Sequence, residues 1–384
     1  MESKNILFIS HDATRTGAPI AFLHLLRYFK TNKYFNISIL LRNSGELENE
    51  FQEIALTNIW HNPSYSILKK IKNRVFERFN FKNKSHKTLL QKYKKEIFDL
   101  IYVNSVASSE LIIPLKTSLK LPVVLHVHEL DIAIKQFCGK DLFNNVIPYV
   151  NHFIAVSNAV KKVLIENYGI ESKKISLVYE SIPAIQYHKE ILLETPFNEF
   201  NDQSSEAFIV LASGTTDWRK GADLFVKVAE YCLKVTNNIH FIWLGGDHIG
   251  IEYEKLMYDV KKLGLEKNVQ FIGSRKNILR YLKHGHVFIL PSREDPFPLV
   301  CLEAASAELP IICFENAGGM PEFVEEDAGI TVPYLSTEEM ANAILKLYND
   351  PVLRKKLGEM AGKKVVNYDT SVIGRQIESL INNI

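Results

Sequence analysis

The sequence predicts an α/β protein made of two Rossmann-like units with parallel sheets, and three observations carry that expectation. At 384 residues the chain exceeds what one hydrophobic core usually supports. Short apolar, β-branched runs alternate with segments of helical period along its length, as parallel strands covered by helices require. That alternation lapses once, in the polar stretch Glu194 to Glu206, and then resumes.

In the first half, strands are expected at Asn5–Ile9, Ile37–Leu41, Leu100–Val103, Val123–Val127, Phe153–Val156 and Ile175–Val178, with a helix from about Gly17. In the second half they are expected at Phe208–Leu211, Ile239–Leu244, Val269–Ile272, Val287–Leu290 and Ile311–Cys313. Helices are expected from near Ala222, across Leu299 to Ala307, and from near Met320. The division that follows is an N-terminal unit over 1–183, a linker or surface loop over 184–206, a C-terminal unit over 207–366 and a terminal helix within 367–384. No fixed-period repeat or low-complexity tract interrupts this order.

Composition narrows the class. With 46% hydrophobic and 23% charged residues the chain reads as a globular enzyme. Its longest apolar runs fall far short of the ~20 residues that cross a bilayer. Lys4 and the brief run Ile6 to Ile9 do not form a secretory signal, so a cytoplasmic location is expected. Cys138, Cys232, Cys301 and Cys313 show neither a C-x-x-C pair nor a disulfide framework, and are expected as reduced core residues. The net charge of +2 conceals an asymmetry: residues 1–183 hold 25 Lys+Arg against 16 Asp+Glu, or +9, leaving −7 for the rest. Between Lys69 and Lys95 lie 11 basic residues and one acid, Glu77. There Ile67, Ile71, Val75 and Phe79 recur every four residues, as in a basic amphipathic helix that packs on its own domain or rests on an anionic membrane. No nucleic-acid partner is expected.

Open parallel sheets bind ligands beyond the carboxyl ends of their strands, so the residues after each strand matter most. In Ser213-Gly-Thr-Thr-Asp-Trp-Arg-Lys-Gly221 the adjacent cations Arg219 and Lys220 precede a glycine at a helix start. A departing diphosphate needs fixed cations as its charge grows. A solvated pair is the plainer alternative, but the helix dipole disfavours cations there. In Pro291-Ser-Arg-Glu-Asp-Pro-Phe-Pro-Leu-Val-Cys-Leu-Glu303 a strand leads into a Pro-started helix, with Asp295 and Glu303 separated by seven residues. Backbone amides of Phe297, Pro298, Leu299 and Val300 are expected to face an anion or hydroxyl. Asn316-Ala-Gly-Gly-Met-Pro-Glu322 is a third strand-end loop, whose glycines let amides approach phosphate or merely make a tight turn.

A competing class comes from His126-Val-His-Glu-Leu-Asp131, where His126 and His128 share a strand face and a metallohydrolase would use them as ligands with Asp131 nearby. No third histidine or cysteine motif supports it. Dinucleotide redox chemistry is disfavoured because His11-Asp-Ala-Thr-Arg-Thr-Gly17 holds no G-x-G-x-x-G.

Taken together, these segments resemble the family-4 retaining glycosyltransferases of the GT-B fold, whose two Rossmann-like domains face a central cleft. The likeness is strongest from Ser213 to Pro333, with echoes at Thr16-Gly17-Ala18, His128-Glu129, Ala155-Val-Ser-Asn-Ala159 and Gly245-Gly-Asp247. It implies that Arg219 and Lys220 hold the donor diphosphate, with Gly214 in their loop and Gly17 under the phosphates from the other domain. It further implies Glu303 at the ribose hydroxyls, Asp295 and His128 at the transferred sugar, and Gly273, Ser274 and Arg275 around the base. The catalytic set is then His128, Asp295, Arg219 and Lys220. The terminal helix would cross back to the N-terminal domain. Two positions depart from the family. The first acid of its usual glutamate pair is Asp295, beside Glu294. Its usual Asn-Gly is replaced within Val178-Tyr-Glu-Ser181, which makes Glu180 a candidate for tuning substrate choice.

The implied activity is transfer of a hexose from a nucleotide diphosphate sugar to a glycan or lipid-linked acceptor, with retention and with neither metal nor cofactor. Cell-surface polysaccharide synthesis is the implied setting, with peripheral contact at an anionic membrane. A catalytically silent nucleotide-binding partner subunit is the alternative.

Overall fold

The computed structural model describes residues 3–60, 82–194, 207–247 and 249–384. The chain forms two compact units, one of residues 1–179 with 370–384 and one of residues 180–369.

The first unit is built on a parallel sheet of β1 (Lys4–Ser10), β2 (Phe35–Leu41), β3 (Thr57–Ile59), β4 (Leu100–Asn104), β5 (Val123–Val127), β6 (His152–Ala155) and β7 (Ile175–Leu177). Their order is β3-β2-β1-β4-β5-β6-β7. The central strands β1, β4 and β5 are buried over nearly their whole length, as strands covered by helices on both faces are. Ile6, Leu7, Phe8 and Ile9 are all fully buried. Phe8 lies 6.0 Å from Phe22 and Phe29 and 5.4 Å from Tyr102, ring centre to ring centre. Each such buried ring contributes about 1.5–3 kcal/mol by leaving water. The terminal helix Thr370–Asn382 adds Ile373, Ile377 and Ile381 to this core, and Lys4 Nζ donates to the Ile381 carbonyl at 2.9 Å. Gly374 lets that helix lie against Tyr28, whose ring a Cβ would overlap.

The second unit has a parallel sheet of β8 (Phe208–Ser213), β9 (Ile239–Leu244), β10 (Val269–Gly273), β11 (Val287–Leu290), β12 (Ile311–Phe314) and β13 (Gly329–Val332). Its order is β10-β9-β8-β11-β12-β13, the 3-2-1-4-5-6 arrangement of dinucleotide folds. Phe225 packs edge-on to Phe241 and Trp243 at 5.7 and 5.3 Å beneath the helix Ala222–Leu233.

Three sequence expectations change. Edge strands β3 and β13 were not foreseen, being short runs of Thr-Asn-Ile and Gly-Ile-Thr-Val without a long apolar signature. The stretch expected to be linker from 184 instead forms a helix, Ala184–Leu193, anchored where His188 Nδ1 meets the Ser306 carbonyl at 3.0 Å. Its Ile191 is buried, which the polar residues downstream masked. The remaining expected linker, 195–206, lies outside the described residues. So does the apolar stripe of Ile67, Ile71, Val75 and Phe79, while a helix spans Lys82–Tyr93. Among the described residues no helix is long and apolar enough to cross a membrane.

Candidate functional site

In the second unit the strand order reverses between β8 and β11, and the crevice beyond such a switch point is where open α/β sheets bind ligands. Three loops from the sequence meet there. The 214–221 loop leaves β8, the 291–298 loop leaves β11, and the 315–319 loop leaves β12.

They meet at close quarters because glycines permit it. Gly221 has φ +73°, and a Cβ on it would overlap the Pro291 carbonyl. Gly318 has φ +151° and lies in a bridge with Asp295, whose carbonyl a Cβ would overlap. The Asp295 N–H donates to Ala317 O at 2.7 Å, and the Arg293 N–H to Arg219 O at 2.8 Å. The loops are therefore stitched main chain to main chain.

Onto this frame the side chains converge. Lys220 Nζ donates to Asp295 Oδ2 at 2.6 Å, and Ser292 Oγ donates to the same oxygen at 3.0 Å. Arg219 Nη1 donates to the Glu294 carbonyl at 3.2 Å and stands 3.9 Å from Asp295 Oδ1. Asp295 is only 3% exposed, whereas Arg219 and Lys220 keep 21% and 15% of their side chains in solvent. Two cations around one buried carboxylate leave one net positive charge, and most guanidinium donors of Arg219 are uncommitted among the described residues. That arrangement has the charge and the donors that binding an anion requires. Of the two neighbouring acids, it is Asp295 whose carboxylate meets both cations.

Glu303 sits in the helix Leu299–Ser306, half-buried, with no hydrogen bond or ion pair to its carboxylate among the described residues. Burial pushes that carboxyl up to about 7. An ionisable acceptor without a donor has the chemistry to receive two hydroxyls. Two details differ from the sequence reading. Pro298 caps the helix rather than opening it and has no N–H to offer, so the first-turn donors are those of Leu299 and Val300. The Phe297 ring turns inward, stacked on Tyr368 at 5.5 Å, so its side chain does not face a ligand.

The residues after β10 complete this side. The Gly245 N–H donates to Gly273 O at 2.8 Å, and Gly214 N–H to Leu244 O at 2.9 Å, which ties the β8, β9 and β10 ends together. Gly214 and Gly273 have φ of +156° and +70°. Ser274 Oγ reaches Gly246 O at 3.5 Å, and Arg275 Nε donates to the Tyr281 hydroxyl at 2.9 Å.

In the first unit the switch point lies between β1 and β4. Beyond it, His128 Nε2 pairs with Asn104 Oδ1 at 2.7 Å, and the His128 N–H donates to Glu129 at 2.9 Å. The buried Glu129 carboxylate also accepts from Ser105 Oγ and from the Val106 N–H. His126 is buried with Nδ1 on the Tyr102 hydroxyl at 2.8 Å. Burial, with the neighbouring His128, holds its pKa well below 6.5, so this imidazole is neutral. The rings of His126 and His128 are 4.1 Å apart, but Asp131 is turned away to Tyr168 and Lys135. The ligand set of the competing metallohydrolase reading is therefore not assembled, and no group of three such residues suited to a metal occurs among the described residues. Gly17 opens the helix Gly17–Asn32, and a Cβ there would meet nothing within 4 Å, so packing does not require a glycine.

Sequence reading missed Ser292, Asp223 and Arg293, which hold the loops in place. Arg293 and Asp223 lie seventy residues apart, and no local pattern announces such a pair, while Ser292 meets Asp295 three residues on within the loop.

Two parallel-sheet units, each with its loops gathered at a switch point, define the GT-B class. The whole chain overlays on Anabaena HepE, solved with UDP-glucose, with a TM-score of 0.80 and 18% identity over 99% of this chain and 100% of that one. The chain belongs to the family-4 glycosyltransferases: the model described as Glycosyltransferase Family 4 matches residues 16–184 and that described as Glycosyl transferases group 1 matches residues 195–364. Among curated relatives, the capsular polysaccharide biosynthesis glycosyltransferase CapM of Staphylococcus aureus is 24% identical over 65% of this chain and 63% of its own length. The N-acetyl-alpha-D-glucosaminyl L-malate synthase of Bacillus anthracis is 27% identical over 64% of this chain and 63% of its own length. These matches thus span slightly less than two thirds of either relative.

Proposed function

We propose that this protein is a glycosyltransferase that takes a hexose from a nucleoside diphosphate sugar and passes it, with retention, to a glycan or lipid-linked acceptor in surface polysaccharide synthesis. The observation that carries this reading is the Arg219–Lys220 pair held around buried Asp295 at the β8–β11 switch point, with unpartnered Glu303 on the adjoining helix.

The chemistry follows from charge. As the bond between the anomeric carbon and the β-phosphate oxygen breaks, negative charge grows on the phosphate, and Arg219 and Lys220 stabilise it. The acceptor oxygen bonds to the anomeric carbon, and its proton passes to the departing phosphate, so no separate base or metal is needed. Glu303 accepts the ribose hydroxyls, the amides of Leu299 and Val300 face the phosphate side, and Ser274 and Arg275 frame the base. Asp295 orients Lys220 and, through its bound cations, acts beside the sugar. His128 and Gly17 are assigned to the acceptor-side unit; the open space around Gly17 supports close approach of a ligand to the main chain.

A uridine donor is the first choice to test because the HepE structures contain UDP and UDP-glucose. The experiment is a panel of UDP- and GDP-sugars assayed for slow donor hydrolysis. One productive sugar with inverted or retained product anomer read by NMR supports or refutes retention. Nucleotide binding without hydrolysis or transfer on any donor would favour the silent partner subunit.

A further inference from the structure

The 214–221 loop carries both cations, yet its ends at Gly214 and Gly221 are left-handed or extended glycines that favour freedom over order. Within the loop only short turns restrain it: Asp217 accepts from the Thr215 hydroxyl at 2.5 Å and from the Lys220 N–H at 3.1 Å. Beyond the contacts of Arg219 and Lys220 with the 291–298 loop, a further set of restraints comes from one residue of that loop. Arg293 Nη1 and Nη2 form a two-pronged pair with the Asp223 carboxylate at 2.8 and 2.7 Å, and Nη1 also donates to the Trp218 carbonyl at 2.8 Å. Its guanidinium lies 5.2 Å from the centre of the Trp218 ring, while its own N–H holds the Arg219 carbonyl. On the far side, the Tyr334 hydroxyl donates to the Arg293 carbonyl at 3.2 Å. Arg293 is thus the clasp through which the ends of β8, β11 and β13 are joined.

Its charge is already spent. Burial would raise the Asp223 carboxyl, but the hydrogen bonds and charge of Arg293 outweigh it and hold Asp223 below the usual carboxylate range. A guanidinium locked in a bidentate carboxylate pair has no free fork for phosphate. Arg219 is in no such two-pronged pair among the described residues: its Nη1 donates to the Glu294 carbonyl, and its other donors are left for a ligand.

We propose that Arg293 is a positioning residue for donor binding, acting with Asp223 and Trp218 to fix the main chain that aims Arg219 and Lys220 at the phosphates. This rests on the donor reading above. It predicts a definite energetic coupling, because a residue that works partly through Lys220 has less left to do once Lys220 is gone.

The test is calorimetric titration with UDP and GDP, together with donor hydrolysis, on the full chain. The variants are Arg293→Ala, Arg293→Lys, Asp223→Asn, Lys220→Ala and the double variant Arg293→Ala/Lys220→Ala. Arg293→Ala and Asp223→Asn should each weaken the bound nucleotide and lower kcat/KM at least tenfold. Arg293→Lys keeps one ion pair but not the fork, and should recover part of that loss. In the Lys220→Ala background, adding Arg293→Ala should cost less than it does in the wild type, the remainder acting through Arg219. If Arg293→Ala does not fold, Arg293→Lys and Asp223→Asn carry the comparison. Affinities within twofold of wild type in those variants, or full additivity in the double variant, overturn the inference while leaving the donor reading intact. A wild-type protein that binds no nucleoside diphosphate overturns the donor reading, and this inference with it.

Discussion

Replacing Glu303 by glutamine should make the protein more stable and a worse nucleotide binder, with both effects dependent on pH. The folded carboxyl stands at about 7 because burial penalises its charge, against an ordinary value of 4.5. A carboxyl raised on folding binds its proton more tightly in the native state, so its ionisation destabilises the fold. The penalty is fully present above pH 7, shrinks as pH falls from 7 towards 4.5, and is absent below. At about 1.4 kcal/mol per pKa unit, this gap corresponds to an upper bound of roughly 3 kcal/mol. Glu303→Gln removes the charge at nearly constant volume, so thermal unfolding should shift upward by several degrees at pH 8 and hardly at all at pH 4.5. For ribose the sign is opposite. If two ribose hydroxyls donate to the ionised carboxylate, bound nucleotide lowers its pKa, and wild-type affinity should fall as pH drops through 7. Glu303→Gln should bind UDP weakly with little pH dependence. Equal unfolding temperatures for the two proteins at pH 8, or a wild-type affinity flat between pH 6 and 8, would refute the reasoning.

Three further outcomes follow from the same geometry. Lys220→Ala should lower kcat/KM ten- to a hundredfold, since a charge-assisted hydrogen bond is worth about 1.5–3 kcal/mol; it should also lower the unfolding temperature by stranding Asp295, and Lys220→Met with Asp295→Asn should restore stability but not turnover. Gly318→Ala should destabilise the second unit and abolish donor hydrolysis, because the new Cβ overlaps the Asp295 carbonyl; wild-type melting and rates would show that this close approach is dispensable. Hydrolysis should survive exhaustive chelation by EDTA, and loss of activity restored by manganese or zinc would return His126 and His128 to consideration as ligands.

Much of this arrangement could be read from the sequence because the relevant signals are local. A buried parallel strand announces itself by consecutive apolar residues, as Val287 to Leu290 do, and glycine, proline and charge directly after it mark a ligand-facing turn. Arg219, Lys220, Asp295 and Glu303 were visible on those terms. Helix Ala184–Leu193 was not, because its one buried isoleucine and its histidine contact depend on a partner more than a hundred residues away. The edge strands β3 and β13 escaped because a three- or four-residue strand carries too little periodicity to separate from a loop. The clasp of Arg293 on Asp223 and Trp218 escaped for a different reason. In the sequence it is one of many surface-type charges, and only the fold brings its partners within reach.

The central claim is that Arg219 and Lys220 hold a diphosphate. Its most direct test compares UDP with UMP by calorimetry on wild type and on Arg219→Ala/Lys220→Ala. The account predicts that wild type binds UDP at least tenfold more tightly than UMP, and that the double variant loses this preference while still binding UMP. Equal wild-type affinities for UDP and UMP, or a preference that persists in the double variant, would contradict it.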